Sequence, residues 1–318
     1  MSKSSSSSTI LPCNEIIDVY ADNFIKEIKH LSSLLDEYNY IGMDTEFPGT
    51  VYCLNNYSPN FYYQTLRINV NSLKLIQIGI SLSNSKGERV LTWQFNLKFD
   101  HTVDKYSQSS YALLNDVGID FDKLKKDGIP HSIFAEYLIS SGLVLNPEVN
   151  WVTFHGAYDF AYILRLALNS QLPETEEEFL NELEVYFPNH YDIRILVQGN
   201  EKLQGGLNRV ASCLDVERVG TTHQAGSDAV VTNGVYFKLL SSKIIDEQCV
   251  EDSHNIVLGL GLGKDDYETI TYTPFANENV NSYYAFLHQQ MKCNNLNYMG
   301  VPVGNNLGLG HRIENQLY

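Results

Sequence analysis

The stretch Tyr40-Ile41-Gly42-Met43-Asp44-Thr45-Glu46-Phe47-Pro48-Gly49 decides the fold. Its apolar run reads as a buried strand, and Pro48-Gly49 stops it. Strand side chains alternate between faces, so Asp44 and Glu46 point one way, Met43 and Thr45 the other. Two carboxylates about 7 Å apart along one face repel each other unless a cation lies between them. Hard divalent ions such as Mg²⁺ and Mn²⁺ take carboxylate oxygens, so the pair predicts a metal site if the chain supplies further ligands. A solvated strand end is the other reading of an isolated Asp-x-Glu.

The 318 residues suffice for one large domain or two small ones, and 43% hydrophobic content supports a substantial core. No apolar run approaches the ~18 residues of a membrane-spanning helix. The start, MSKSSSSSTI, lacks the apolar segment of a signal peptide. Five scattered cysteines (Cys13, Cys53, Cys213, Cys249, Cys293), with no CxxC, predict reduced thiols in a cytosolic or nuclear protein. The net charge of −16 is opposite in sign to the basic footprint of most nucleic-acid binders. Glu174, Glu176, Glu177, Glu178, Glu182 and Glu184 concentrate part of it on what reads as a solvated helix face. Metal-bound carboxylates would neutralise another part, and the scarcity of Lys and Arg leaves any nucleic-acid grip to metals and partners.

Along the chain, residues 1–12 read as a disordered Ser-rich terminus. Glu15 to Tyr20 predicts a short strand. Asp22 or Asn23 then caps a helix with Phe24, Ile25, Ile28, Leu31 and Leu35 at helical spacing. Asn55 to Gln64 reads as a loop. Leu73 to Leu82 and Val90 to Phe99, joined by the turn Asn84-Ser85-Lys86-Gly87, predict strands in a meander with 41–46. Helices are predicted over 106–114, 133–145, from Tyr158 through Leu168, 174–186, 206–214 and 225–240. Further strands are predicted over 150–154 and 191–197. The alternation predicts an α/β fold with one mixed sheet flanked by helices. Residues 265–318, rich in Gly, Asn and Tyr, read as a tail of uncertain order, leaving 13–264 as a single domain.

Two further stretches carry chemistry. In His155-Gly156-Ala157-Tyr158-Asp159-Phe160 a strand passes into a helix, so Asp159 is either a first-turn acid favoured by the helix dipole or a metal ligand. His155 is either a satisfied strand-end histidine or a phosphate or base contact. In His223-Gln224-Ala225-Gly226-Ser227-Asp228, Gly226 permits close backbone approach and Asp228 enters a helix with the apolar face Val230, Val231, Val235, Phe237. The spacing can bring a histidine and a carboxylate to one cavity, where imidazole suits proton removal from water near neutral pH. Phe47, beside Glu46, is a candidate to stack on a terminal base, or else a core phenylalanine.

In order, the chain presents Asp-x-Glu, His-x-x-Tyr-Asp and His-x4-Asp, the three exonuclease motifs of the DEDD superfamily in its histidine branch. MDTEFPG (43–49), LIQIG (75–79), TWQFN (92–96), FHGAYDF (154–160), the GGL at 205–207 and HQAGSD (223–228) resemble the Pop/Caf-type mRNA deadenylases. The resemblance spans residue 14 to about 260 and implies an RNase-H-like catalytic subunit of the eukaryotic deadenylase complex. It implies that Asp44, Glu46, Asp159 and Asp228 hold two divalent metals, Mg²⁺ or Mn²⁺, with His223 as general base. It further implies 3′-to-5′ shortening of poly(A) RNA with release of 5′-AMP. The implied partners are a helical scaffold subunit, a leucine-rich-repeat nuclease and antiproliferative-type adaptors. Thr50 to Asn55 stands where the family often has an arginine-containing loop, and Gln204 where many relatives have lysine; both changes remove positive charge. A general exonuclease trimming other RNAs and a bridging module of the decay machinery are the rival readings.

Overall fold

Gly42 and the acids of the Tyr40–Glu46 strand sit in the interior of a six-stranded sheet in the computed structural model, which describes residues 15–54 and 60–261. The chain enters through β1 (Ile16–Val19), α1 (Phe24–Ser32) and β2 (Tyr40–Glu46), then α2 (Phe61–Ser72) and the hairpin β3 (Gln77–Ser83) and β4 (Arg89–Asn96). Helices α3 (Gln108–Asp116), α4 (Phe121–Asp127) and α5 (His131–Ser140) precede β5 (Asn150–Thr153). Next come α6 (Ala157–Leu168), α7 (Glu176–Tyr186), β6 (His190–Asp192), α8 (Ile193–Leu196), α9 (Leu207–Cys213), α10 (Ala225–Ser241) and α11 (Glu247–Asp252). The strand order is β1-β4-β3-β2-β5-β6. Strands β2, β3 and β4 form the antiparallel meander, while β1 with β4, β2 with β5 and β5 with β6 are parallel. This is one mixed α/β sheet flanked by helices, an RNase-H-like nuclease fold.

The two faces of the sheet differ in chemistry because of strand alternation. Ile41 and Met43, with Ile78, Ile80, Leu82, Trp93 and Phe95 across the ladders, bury one face against Phe24, Phe134 and Phe160 of α1, α5 and α6. The opposite face is glycine and polar, and α10 lies on it. An added Cβ at Gly42 would meet the Ala229 carbonyl oxygen at 2.5 Å, and one at Gly79 would meet that of Ala225 at 1.9 Å. The helix therefore rests on backbone. The polar groups beneath it are paired: Asn233 Nδ2 donates to the Ser81 carbonyl (2.8 Å) and Ser83 Oγ to Asn233 Oδ1 (2.9 Å). Gly226 N donates to Gln94 Oε1 at 3.0 Å.

Several sequence expectations are corrected. Residues 61–64 belong to α2 and not to a loop; its Tyr62, Tyr63, Leu66 and Val70 are buried, a stripe obscured by neighbouring Tyr and Asn. Residues 55–59 lie outside the described segments. The strand expected over 191–197 stops at Asp192, whose side chain accepts from Arg194 N (2.9 Å) and starts α8. The helix expected to reach 145 ends at Ser140, and Gly142 and Leu145 take positive φ. Helices α4 and α11 were not anticipated. The acidic helix starts at Glu176 behind a capping box of Thr175 and Glu178. The Ser-rich terminus and the 265–318 tail lie outside the described residues.

The α10 contact yields a stability prediction. Gly79→Ala forces a methyl into the Ala225 carbonyl and lowers unfolding stability by about 3 kcal/mol or more. Gly206→Ala, with no atom within 4 Å of an added Cβ and φ −78°, changes it by less than ~0.5 kcal/mol. Urea unfolding of the two variants makes the comparison.

Candidate active site

Alternation on β2 puts Asp44 and Glu46 on the α10 face, as expected, with Gly79 and Gln77 directly opposite them on β3. Close approach of α10 over Gly79 brings its first-turn acid Asp228 to the same place. Ligand atoms of Glu46, His223 and Asp228 all lie within 4.8 Å of one another. Asp159, in the first turn of α6, reaches in from the far side of β2 and accepts from Thr45 Oγ1 at 2.5 Å. Thus all four acids and His223 are gathered at one end of the central strands.

Electrostatics records the crowding. Burial, then the charges of Asp159, Asp228 and Glu46, holds the Asp44 carboxyl well above the usual range, with Arg218 opposing. Burial, then Asp228 and Asp159, pushes Glu46 up to about 8. Burial pushes Asp159 up to about 7 against the Thr45 hydrogen bonds. Among the described residues, no hydrogen bond reaches the Asp44 or Glu46 carboxyl. Crowded acids that face one another, two of them without a hydrogen-bond donor among the described residues, beside an imidazole, are a donor set suited to hard divalent cations.

Both histidines occupy strained backbone. His155 has φ 66° and His223 φ 61°, left-handed values unfavourable for a side chain with a Cβ. A carboxylate holds each. Asp228 Oδ2 accepts from His223 N at 3.0 Å. Asp192, fully buried at the end of β6, accepts from the amides of His155 (2.7 Å), Gly156 (3.3 Å), Arg194 (2.9 Å) and Leu258 (3.1 Å). Asp192 thereby fixes the turn that launches α6 and aims Asp159. Sequence reading missed it; an Asp between a short strand and a helix start was the available signal.

The proposed substrate contacts divide. Burial pushes His155 down to about 4, so it is a neutral imidazole, able to contact a base or sugar but not to supply charge. The half-buried Phe47 stacks on Tyr158 (5.1 Å, 14°) and packs against Tyr162 (5.2 Å), within reach of the core. Cations stand near both places where the sequence suggests lost charge: Lys105 Nζ bonds Tyr52 Oη (2.7 Å), and Arg194 Nη1 bonds the Gly205 carbonyl (2.9 Å). Arg218, also missed, pairs with Asp228.

Residues 19–137 match the family described as CAF1 family ribonuclease. The probable CCR4-associated factor 1 homolog 7 of Arabidopsis thaliana is 42% identical over 261 residues, 78% of this chain and 94% of the relative. Poly(A) ribonuclease pop2 of Schizosaccharomyces pombe is 42% identical over 252 residues, covering 77% and 75%. A structure of S. pombe Pop2p with Mg²⁺ and Mn²⁺ bound matches 77% of this chain and 99% of its own, with a TM-score of 0.73. A chain of the structure of yeast NOT1 MIF4G domain co-crystallised with CAF1 is 27% identical, covering 77% and 96%, with a TM-score of 0.66.

Two predictions follow from this geometry. Glu46 and Asp159 hold protons longer folded than unfolded, so their stabilising effect is complete below pH ~4 and lost as pH rises through about 7 to 8. In EDTA, Tm therefore falls by roughly 5 °C or more between pH 6 and 9, and Mg²⁺ abolishes much of the fall; differential scanning fluorimetry reads both. Asp192→Asn replaces an acceptor of four amides by a group that is half donor. It costs about 2–4 kcal/mol of unfolding stability, measurable by urea titration.

Proposed function

The chain belongs to the CAF1 family of ribonucleases, and from that premise we propose that it is a poly(A)-specific 3′-to-5′ exoribonuclease of mRNA decay. The observation that carries this reading is the convergence of Asp44, Glu46, Asp159, His223 and Asp228 on one end of the sheet. In this reading Asp44, Glu46, Asp159 and Asp228 hold two divalent ions, as the Mg²⁺- and Mn²⁺-bound Pop2p relative supports. Bound there, the ions supply Lewis-acid stabilisation of the scissile phosphate and acidify water.

The chain's own residues do the rest. An imidazole nitrogen of His223, exposed at the rim of the cluster, takes the proton from the attacking water, a role typically worth about 10²–10⁴-fold. The backbone bond from His223 to Asp228 ties the base to a ligand, so the two move together. Thr45 aims Asp159 at the ions. His155 offers a neutral contact to the terminal nucleotide, and the Phe47–Tyr158 stack offers an aromatic edge to its base. Cleavage frees the 3′ oxygen of the preceding residue and releases 5′-AMP.

The similarity to CCR4-NOT transcription complex subunit 7 of Caenorhabditis elegans, 41% identical over 235 residues, and to a chain of the NOT1–CAF1 structure supports a place in a deadenylase complex built on a helical scaffold. A leucine-rich-repeat nuclease and small antiproliferative-type adaptors complete the proposed partner set. We place the work in the cytoplasm, with the nucleus as a second site.

The test is a time course on 5′-labelled RNA ending in an adenosine tail, with Mg²⁺ or Mn²⁺. Stepwise shortening is expected, slower on a non-adenosine tail, abolished by EDTA and reduced at least about 10³-fold in Asp44→Ala. Equal trimming of both tails overturns the poly(A) preference and leaves a general exonuclease.

A further inference from the structure

Arg218 sits in the loop between α9 and α10, five residues past the end of α9, with its side chain 21% exposed. Its guanidinium makes a three-point fork. Nη1 forms an ion pair with Asp228 Oδ1 and also donates to Ser227 Oγ (2.8 Å), while Nη2 donates to Asn208 Oδ1 on α9. Ser227 and Asp228 are buried in the first turn of α10, and Asn208 is exposed. The fork spans from the solvent edge to the acid cluster.

The charge matters as much as the tether. Asp44, Glu46, Asp159 and Asp228 share one small volume, and Arg218 is the cation paired with them among the described residues. A planar guanidinium is weakly hydrated and always charged, so it can stay beside buried carboxylates where a lysine would lose more hydration. It also occupies a lone pair of Asp228 Oδ1 and places a fixed positive charge beside that ligand oxygen.

The geometry assigns Arg218 as a positioning residue and resident counter-charge: it holds Asp228 in place when the site lacks metal, and it restrains the affinity of the site for divalent ions. This rests on the metal-site reading above. Two opposing effects follow from removing the side chain. Loss of the tether loosens Asp228, which His223 N still holds. Loss of the charge removes a repulsion between a monovalent and a divalent cation in a partly desolvated site. The second effect is the larger at such range. A restrained affinity keeps the ions exchangeable, whereas a purely structural clamp would weaken metal binding when cut.

The test is titration of the full-length protein with Mn²⁺ alone, without RNA, with free Mn²⁺ read by electron paramagnetic resonance. Arg218→Met is expected to bind Mn²⁺ about tenfold or more tightly than wild type, and Arg218→Lys, which keeps the charge, within about threefold of it. In EDTA, Arg218→Met melts below wild type, and Mn²⁺ raises its Tm by a larger increment. Asn208→Asp tests the same charge without touching Arg218 or Asp228. By drawing the guanidinium charge outward it raises Mn²⁺ affinity severalfold, and it serves if Arg218→Met does not fold. Unchanged or weaker Mn²⁺ binding in Arg218→Met, or in Asn208→Asp, overturns the proposal and leaves a structural clamp. Asp228→Asn separates this failure from failure of the metal site. If it loses Mn²⁺ binding, the site stands and Arg218 is judged alone; if it binds as wild type does, both readings fall.

Discussion

Helix α10 meets β2 and β3 at backbone range because Gly42 and Gly79 present no Cβ to its carbonyls. That contact is the condition for the site. Asp228 stands in the first turn of the helix, and Asp44 and Glu46 point from the strand beneath. With larger residues at 42 or 79 the helix would lift, and the acids would separate by the thickness of a side-chain layer. Closeness also creates a demand, since a helix on a polar sheet face buries groups that need partners. Asn233, Ser83, Gln94 and Gly226 meet it with bonds across the interface. The face that carries the chemistry is therefore held by hydrogen bonds, while the opposite face, behind Met43, is held by apolar packing.

Acids in this protein do two kinds of work, distinguished by their donors. Asp192 is surrounded by four amides and has no capacity left for a ligand; it is a knot in the backbone. Asp44 and Glu46 are crowded by carboxylates and, among the described residues, receive no hydrogen bond. Asp228 is intermediate, sharing itself between the His223 amide and Arg218. The left-handed turns at His155 and His223, of order 1–3 kcal/mol each, persist because Asp192 holds the first and Asp228 the second. Asp192 braces one turn beside acids that lack such partners, and His155 and His223 are two of the left-handed residues among those described.

How much of this was legible in the sequence follows from which features are local. Asp44 with Glu46, His155 with Asp159, and His223 with Asp228 each lie within one strand or one turn, so spacing groups them in pairs, and the family resemblance joins the pairs into one site. The meander and the burial of β2 are likewise periodic. Thr45 binding Asp159 across 114 residues, Asp192 binding His155, and Arg218 reaching Asn208 depend on tertiary distances that spacing does not encode. Helix α2 hid for another reason: its buried stripe uses tyrosines, whose amphipathic rings read as loop when Asn lies between them. Residues 191–197 carry strand-forming Tyr, Ile and Val, yet Asp192 caps a helix there, a local hydrogen bond overriding propensity.

The charge balance, −16 overall, then takes a physical meaning. Long-range electrostatics opposes RNA approach, so a fast, steered encounter of the kind basic nucleases enjoy is not available to this surface. Attraction has to be short-range, and among the described residues the structure offers it at Lys105 beside Tyr52 and Arg194 beside Gly205, joined in the proposed reading by the ions of the acid cluster. The sequence changes that remove charge after Gly49 and at Gln204 are thus accompanied by cations brought in from other segments. Binding that relies on a few cations and aromatic edges is weak, and its electrostatic part acts only within about a Debye length. An enzyme with such a surface works on RNA delivered to it, and a scaffolded complex is the arrangement that removes the cost of a repulsive encounter. In the proposed reading, once the strand end is inside, the acids that repel RNA at a distance are the groups that would hold the ions beside its phosphate.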